Sequence, residues 1–286
     1  MLDPQHRQQR AAGSIFQLSR LRSRSRDSNE AMIRALCYNV PLNHEDLICC
    51  VLGRYKIYVD PTDKGLSTHL LLDGFWEMWV TEIIARLVRP GMVVADIGAN
   101  LGYYTLMMGD LVGPKGHVHA FEPNPPIARR LRNSVGMNAG HQRTTVHEVA
   151  LTDYDGTAAL YSPPLEPKNA SIVGGAGRPG NVAVPARKLD SIENIDRLDF
   201  VKIDAEGAEE TIWRGMERHL RADRPPTILM EYAGDRLSDP GAFIDNIVGL
   251  GFQLNLIRHD GRTVPIDKQK LLSQPSNEDQ MLLLCP

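Results

Sequence analysis

From about residue 90 onward, the apolar positions of this chain alternate between two spacings. Val93-Val94-Ala95 is a short continuous apolar run, which reads as a strand buried on both faces. Leu101, Tyr104, Thr105, Met108, Leu111 and Val112 follow at spacings of three and four and predict a helix. His117-Val118-His119-Ala120-Phe121 predicts a second strand that ends in an acid, Glu122. The alternation continues with a helix predicted from Ile127 to Met137, a strand from Thr145 to Leu151 and a turn at Asp153-Tyr154-Asp155-Gly156. Asp199 to Ile203 predicts a strand tipped by Asp204, and a helix carrying Ile212, Trp213, Met216 and Leu220 comes next. A strand from Thr227 to Met230 tipped by Glu231, a helix from Ala242 to Leu250, a strand from Phe252 to Ile257 and a last strand from Asp279 to Cys285 complete the pattern. Strands and helices in this order predict an α/β fold, a doubly wound and mostly parallel sheet with helices on both faces. Such sheets bind ligands beyond the carboxyl ends of their strands. Asp96, Glu122, Asp204 and Glu231 are each expected at such an end, and four acids on one rim are hard to explain by packing.

Ahead of this domain the pattern is different. Tyr55-Lys56-Ile57-Tyr58-Val59 alternates as a strand, with a turn at Asp60-Pro61. Ser67 to Val88 reads as one helix whose apolar face holds Trp76, Trp79, Val80, Ile83, Ile84 and Leu87, ended by Arg89-Pro90-Gly91. That helix is expected to cover the ligand crevice, with His69 and Glu77 read as surface polar residues near the opening. Residues 1–29 are polar, and Arg20, Arg22, Arg24 and Arg26 alternate with serine and leucine. That composition predicts a disordered basic tail. The stretch from Ser162 to Gly180 has no period and is rich in proline and glycine. Long irregular loops in compact domains usually serve a function, and this one is expected to bind substrate. The expected organisation is therefore a disordered basic tail (1–29), a strand/helix extension over the site (30–88) and a ligand-binding domain (89–286).

Between the first strand and helix lies Asp96-Ile97-Gly98-Ala99-Asn100-Leu101-Gly102. Its glycines let backbone approach a ligand, and an acid at the tip of the second strand can accept hydrogen bonds from ribose hydroxyls. The dinucleotide pattern G-x-G-x-x-G, started at Gly98, fails at Asn100 and Tyr103. A nicotinamide oxidoreductase is thereby disfavoured. A phosphate-free adenosine with a charged amino-acid tail suits the loop better, and S-adenosylmethionine is such a ligand. Its ammonium can pair with Asp96 and its carboxylate with backbone N–H groups. A tight βα turn with a capping Asn would give the same loop, and Glu122 is what favours the ligand.

Asp96-Ile97-Gly98-Ala99-Asn100-x-Gly102-x-x-Thr105, Ala120-Phe121-Glu122-Pro123 and Lys202-Ile203-Asp204-x-Glu206-Gly207-Ala208-Glu209 together resemble the FkbM family of S-adenosylmethionine-dependent methyltransferases. The likeness covers about residues 55 to 286; Ala205 stands where the family more often carries Val. The resemblance implies a Rossmann-like class I methyltransferase fold whose last strand inserts antiparallel. It also implies methyl transfer, most often to a hydroxyl of a sugar or a natural product. On that reading Asp96, Gly98, Asn100, Gly102 and Thr105 shape the methionine pocket, Glu122 holds the ribose and Ala150 lies near the adenine.

Composition narrows this little. The 286 residues are 42% hydrophobic and 23% charged with a net charge of −3, which argues against a dedicated nucleic-acid binder. Cys37, Cys49, Cys50 and Cys285 have no C-x-x-C spacing, so neither a zinc site nor a disulfide framework follows. No apolar run is long enough for a membrane span and no signal-peptide core is visible; a cytoplasmic protein with reduced cysteines is expected.

Methyl transfer to a hydroxyl needs a group that takes the proton. The candidates are Asp204 first, Glu206 second, and Lys202, which shares a strand face with Asp204. A lysine inside an apolar strand must be paired, so a structural partnership with Asp96 or Glu231 competes with a direct role. Glu209 suits a helix start. Asp204 with Glu231 could instead hold a divalent cation, but two visible ligands are too few, and no metal is expected. Asn124-Pro125-Pro126 reads as a helix start, and Gly113-Pro114-Lys115-Gly116 is a turn without the ending of a P-loop. A nucleotide-binding regulator without catalysis remains the alternative from another functional class.

Overall fold

A computed structural model describes residues 15–23, 25–163, 165–173, 177, 179–275 and 278–286. In chain order its elements are α1 (Arg26–Leu36), β1 (Asn39–Pro41), β2 (Leu47–Val51), β3 (Tyr55–Val59), α2 (Leu66–Asp73) and α3 (Met78–Leu87). Then come β4 (Val93–Ile97), α4 (Tyr103–Val112), β5 (His117–Phe121), α5 (Pro125–Met137), β6 (Thr144–His147), β7 (Ala150–Leu151), β8 (Gly156–Leu160) and β9 (Val182–Arg187). The chain ends with β10 (Phe200–Ile203), α6 (Glu209–Arg214), α7 (Glu217–Leu220), β11 (Thr227–Tyr232), α8 (Pro240–Gly249), β12 (Gln253–Ile257), β13 (Thr263–Pro265), α9 (Lys268–Leu272) and β14 (Gln280–Cys285).

The central sheet has eight strands in the order β13-β12-β14-β11-β10-β4-β5-β6. From β11 through β10, β4 and β5 to β6 every pairing is parallel. The last strand, β14, inserts antiparallel between β11 and β12, as the resemblance implies. Alternation along the strands feeds two cores. Phe200 and Leu229 face one side with Ile84, Met107 and Leu131. Val201, Ile203, Ile97 and Phe121 face the other with Trp213 and Ile244. Lys202 is the exception, a charged residue buried between Val201 and Ile203 on β10.

The N-terminal extension is a three-stranded antiparallel sheet, β1-β2-β3, flanked by helices. Side chains of α5 cap the open edge of β3. Ser134 Oγ accepts from Tyr58 N at 2.9 Å, and Asn138 bonds both Lys56 N and Lys56 O. The edge is thereby denied to other strands.

Four expectations change. Residues 15–29 are ordered: Phe16 and Leu21 are buried and α1 begins at Arg26. Arg22, expected in a solvated tail, donates to Ala85 O at 2.6 Å in the last turn of α3, where unpaired carbonyls attract cations. Residues 1–14 and Arg24 lie outside the described residues. The helix expected from Ser67 to Val88 is two helices, because Gly74 takes a left-handed φ of 74° and ends α2 against Cys37. The helix expected around Trp213 and Leu220 breaks at Gly215, where a Cβ would lie 1.9 Å from Thr152 O. The strand expected from Thr145 to Leu151 is split: β6 joins the main sheet, while β7 joins a second three-stranded sheet, β7-β9-β8. Among the described residues, no helix is long and apolar enough to cross a membrane.

Candidate active site

The turn from β4 into α4 is what brings the site together. Gly98, Asn100 and Gly102 all adopt left-handed backbone, with φ of 76°, 49° and 94°. At Gly98 a Cβ would stand 1.8 Å from the carbonyl oxygen of Asp204. The turn therefore packs directly against the end of β10, and only glycine fits. The N–H groups of Gly98 and Ala99 donate to Phe121 O at 3.1 and 2.9 Å, which ties the same turn to the end of β5.

Glu122 follows β5 immediately and is 6% exposed. Asn100 N donates to its Oε2 at 3.0 Å and Asn124 N to its Oε1 at 2.9 Å. Burial pushes its pKa up to about 7, against the pull of these two donors. A carboxylate oxygen can accept more than one hydrogen bond, so both oxygens keep capacity for a ligand. Asn100 Oδ1 accepts from Leu101 N at 2.8 Å. The capping turn and the ligand loop are thus the same structure.

These ends open on a cavity of about 810 Å³, near the upper end of ordinary ligand pockets. Gly98, Asn100, Glu122, Ala150, Lys202, Asp204 and Glu206 line it. Of the expected site residues, Asp96, Gly102 and Thr105 do not. Asp96 is fully buried beneath the floor. Its Oδ2 accepts from Thr105 Oγ1 at 2.5 Å, and its Oδ1 lies 3.7 Å from Lys202 Nζ. The direct ion pair with an ammonium expected of Asp96 is not what this geometry offers. Asp96 instead acts through Lys202, its register partner across β4 and β10. Gly102 supports the turn from behind, against Leu131.

Lys202 divides its charge between two carboxylates, Asp204 Oδ2 at 3.1 Å and Asp96. Burial would lower its pKa, but Asp204 and Asp96 outweigh burial and hold it above the ordinary lysine value. The pairing expected with Asp96 is therefore present; the one with Glu231 is not. Glu231 shares Arg236 Nη1 with Glu206, at 3.1 and 3.2 Å, and Arg236 Nη2 lies 3.3 Å from Asp279. Burial, then Asp204, Glu206, Glu209 and Asp279, push Glu231 up to about 10 despite the Arg236 contact. Among the described residues, no group of three or more His, Cys, Asp or Glu has the arrangement of a metal site. Glu209 is the first residue of α6, and its Oε1 accepts from Ala205 N at 2.8 Å and Gly207 N at 3.3 Å. It holds the Asp204–Gly207 loop rather than facing the cavity.

The described part of the irregular loop reaches the wall through Pro167, Asn169 and Ala170 to Val173. Ser171 Oγ donates to Glu206 O at 2.7 Å, linking the loop to the acidic corner. Gly174 and Gly175 lie outside the described residues. Arg236, Asp279, Trp76 and Glu77 also line the cavity without belonging to any motif. The first two come from turns with no period, and the last two from a helix break that apolar spacing hides.

Residues 96–254 match the Methyltransferase FkbM domain. The chain belongs to the FkbM methyltransferase family. A 2-O-methyltransferase, NoeI, of Sinorhizobium fredii is 27% identical over 174 residues, covering 54% of this chain and 69% of that protein. A protein-L-isoaspartate O-methyltransferase of Methanothrix thermoacetophila is 33% identical over 70 residues, covering 24% of this chain and 30% of that one. Among solved structures, Aeropyrum pernix fibrillarin with natively bound S-adenosyl-L-methionine has a TM-score of 0.42 and 11% identity, over 86% of this chain and 98% of that chain. The FkbM match begins at Asp96 and ends in β12. The extension that carries Trp76 and Glu77, and the inserted β14, lie outside it.

Proposed function

We propose that this FkbM protein is an S-adenosylmethionine-dependent O-methyltransferase acting on a hydroxyl of a sugar or another hydroxylated small molecule. The observation that carries the reading is the placement of buried Glu122 and the Lys202–Asp204 pair on one cavity. The first is built to accept ribose hydroxyls, the second to meet an acceptor. The likeness to a 2-O-methyltransferase supports oxygen as the methylated atom.

S-adenosylmethionine, when bound, supplies a methyl group activated by positive sulfur. Glu122 would hold the ribose, the Gly98–Asn100 backbone the methionine portion, and Ala150 the adenine side. The acid-rich wall suits a cationic ligand. Lys202 fixes the Asp204 carboxylate at the end of β10. Asp204 is placed to orient the acceptor hydroxyl and take its proton as the new oxygen–carbon bond forms, the kind of help worth about 10²–10⁴-fold.

Calorimetry tests the nucleoside half directly. Wild-type protein should bind S-adenosylmethionine, and Glu122→Ala should weaken binding by about 10–100-fold, the value of a hydrogen bond to a charged group. Because burial sets Glu122 near 7, and ribose hydroxyls bind its ionised form better, affinity should rise about three- to tenfold from pH 6 to pH 8. In Glu122→Gln that rise should vanish. Unchanged affinity in Glu122→Ala would count decisively against the assignment.

A further inference from the structure

The turn between α2 and α3 is built into the cavity in a way that neither the family match nor a surface role explains. Trp76 and Glu77 both line the cavity wall. Glu77 takes a left-handed φ of 33°, a conformation that a side chain bearing Cβ adopts only against steric cost and that concentrates at functional sites. The turn is held from both ends. Thr81 Oγ1 donates to Trp76 O at 2.9 Å and lies 3.1 Å from Tyr103 Oη. Tyr104 Oη donates to Glu77 Oε2 at 3.2 Å.

Tyr103 and Tyr104 open α4, directly after the glycine turn. The Tyr104 ring also lies 5.2 Å from Lys202 Nζ, the group that fixes Asp204. A connected set of contacts therefore runs from Glu77 through Tyr104 and Lys202 to Asp204. It stands on the side of the cavity away from Glu122 and Ala150, the residues assigned above to ribose and adenine.

Resting on the O-methyltransferase reading above, we propose that Glu77 is an acceptor-binding residue. Its carboxylate takes a hydrogen bond from a hydroxyl of the acceptor other than the one methylated, and selects neutral polyhydroxylated molecules over anionic ones. Tyr104 occupies one direction at Oε2, and a carboxylate has further acceptor sites for a ligand. An acceptor carboxylate in the same place would meet like charge at close range.

The test uses the full chain with methyl-labelled S-adenosylmethionine and a panel of methyl pyranosides, each paired with its uronate. In wild type the neutral member should be the better substrate. Glu77→Gln should lower kcat/KM for the neutral acceptor by about 10–100-fold, mainly through KM. It should also narrow the preference over the uronate, and leave the cofactor dissociation constant within about twofold. Glu77→Gly separates function from folding. Glycine relieves the left-handed backbone, so its Tm should be no lower than wild type while acceptor kcat/KM falls as in Glu77→Gln. Wild-type turnover with unchanged acceptor kinetics in both variants overturns the role of Glu77 and leaves the O-methyltransferase reading intact. A wild-type protein that binds cofactor yet methylates no member of the panel overturns that reading, and this inference with it.

Discussion

Asp204→Asn should lower kcat by about 10²–10⁴-fold while leaving S-adenosylmethionine affinity within about twofold. The asymmetry follows from where Asp204 sits. Its N–H donates to Ile97 O at 3.1 Å, and its carbonyl packs on Gly98. Its backbone is thus locked into the cofactor turn and does not depend on the side chain. Asparagine keeps the shape and can still accept from Lys202. It cannot take a proton at neutral pH, so the loss should appear in the chemical step, read by single-turnover transfer of labelled methyl. Glu206→Gln should cost much less, because the Glu206 carboxylate is held by Arg236 at 3.2 Å at the acidic corner of the wall. An Asp204→Asn variant with wild-type kcat would remove Asp204 from proton transfer. Cofactor binding without turnover in the wild type as well would favour a nucleotide-binding regulator.

Much of this arrangement was legible in the chain because the signals were local. Period and strand tips placed β4, β5, β10, β11 and β14 within a residue or so. Glu122 was recognisable because an acid ending the second strand has few other uses. What stayed hidden depended on contacts between distant segments. The burial of Asp96 is set by its register with Lys202 across β4 and β10, which a strand-tip argument does not see. An arginine-rich composition reads as solvated until a helix end supplies carbonyls, as α3 does for Arg22. β8 and β9 pair only with each other and with β7, and their short apolar runs are overshadowed by the proline- and glycine-rich loop between them. Glu77 looked like a surface residue because a continuous apolar stripe runs through the Gly74 break. The change of direction there, not the spacing, turns it toward the cavity.

Lys202→Met should cost about 3–5 kcal/mol of folding stability, the range for removing one partner of a buried ion pair. That is a large share of the roughly 5–15 kcal/mol of a typical domain. Lys202 is 1% exposed and Asp96 0%. Asp96 Oδ1 has no hydrogen-bond partner, so the ammonium 3.7 Å away is its main compensation. Burial already pushes the Asp96 carboxyl above its usual range, and Lys202 and Thr105 pull against it. Without Lys202 the group should be driven higher still and take up a proton on folding. A carboxyl whose folded pKa is raised keeps its stability below the unfolded value and loses it as pH rises through the folded one. The deficit of Lys202→Met against wild type should therefore be larger near pH 8 than near pH 5, read as the shift in urea midpoint at constant slope. Adding Asp96→Asn removes the stranded charge, so the double variant should recover more than about 1 kcal/mol relative to Lys202→Met alone, a coupling expected only between residues in contact. A deficit independent of pH, or strictly additive single effects, would mean that methionine fails at this position through its shape. The buried pair would then not be what holds β4 to β10 beneath the cavity.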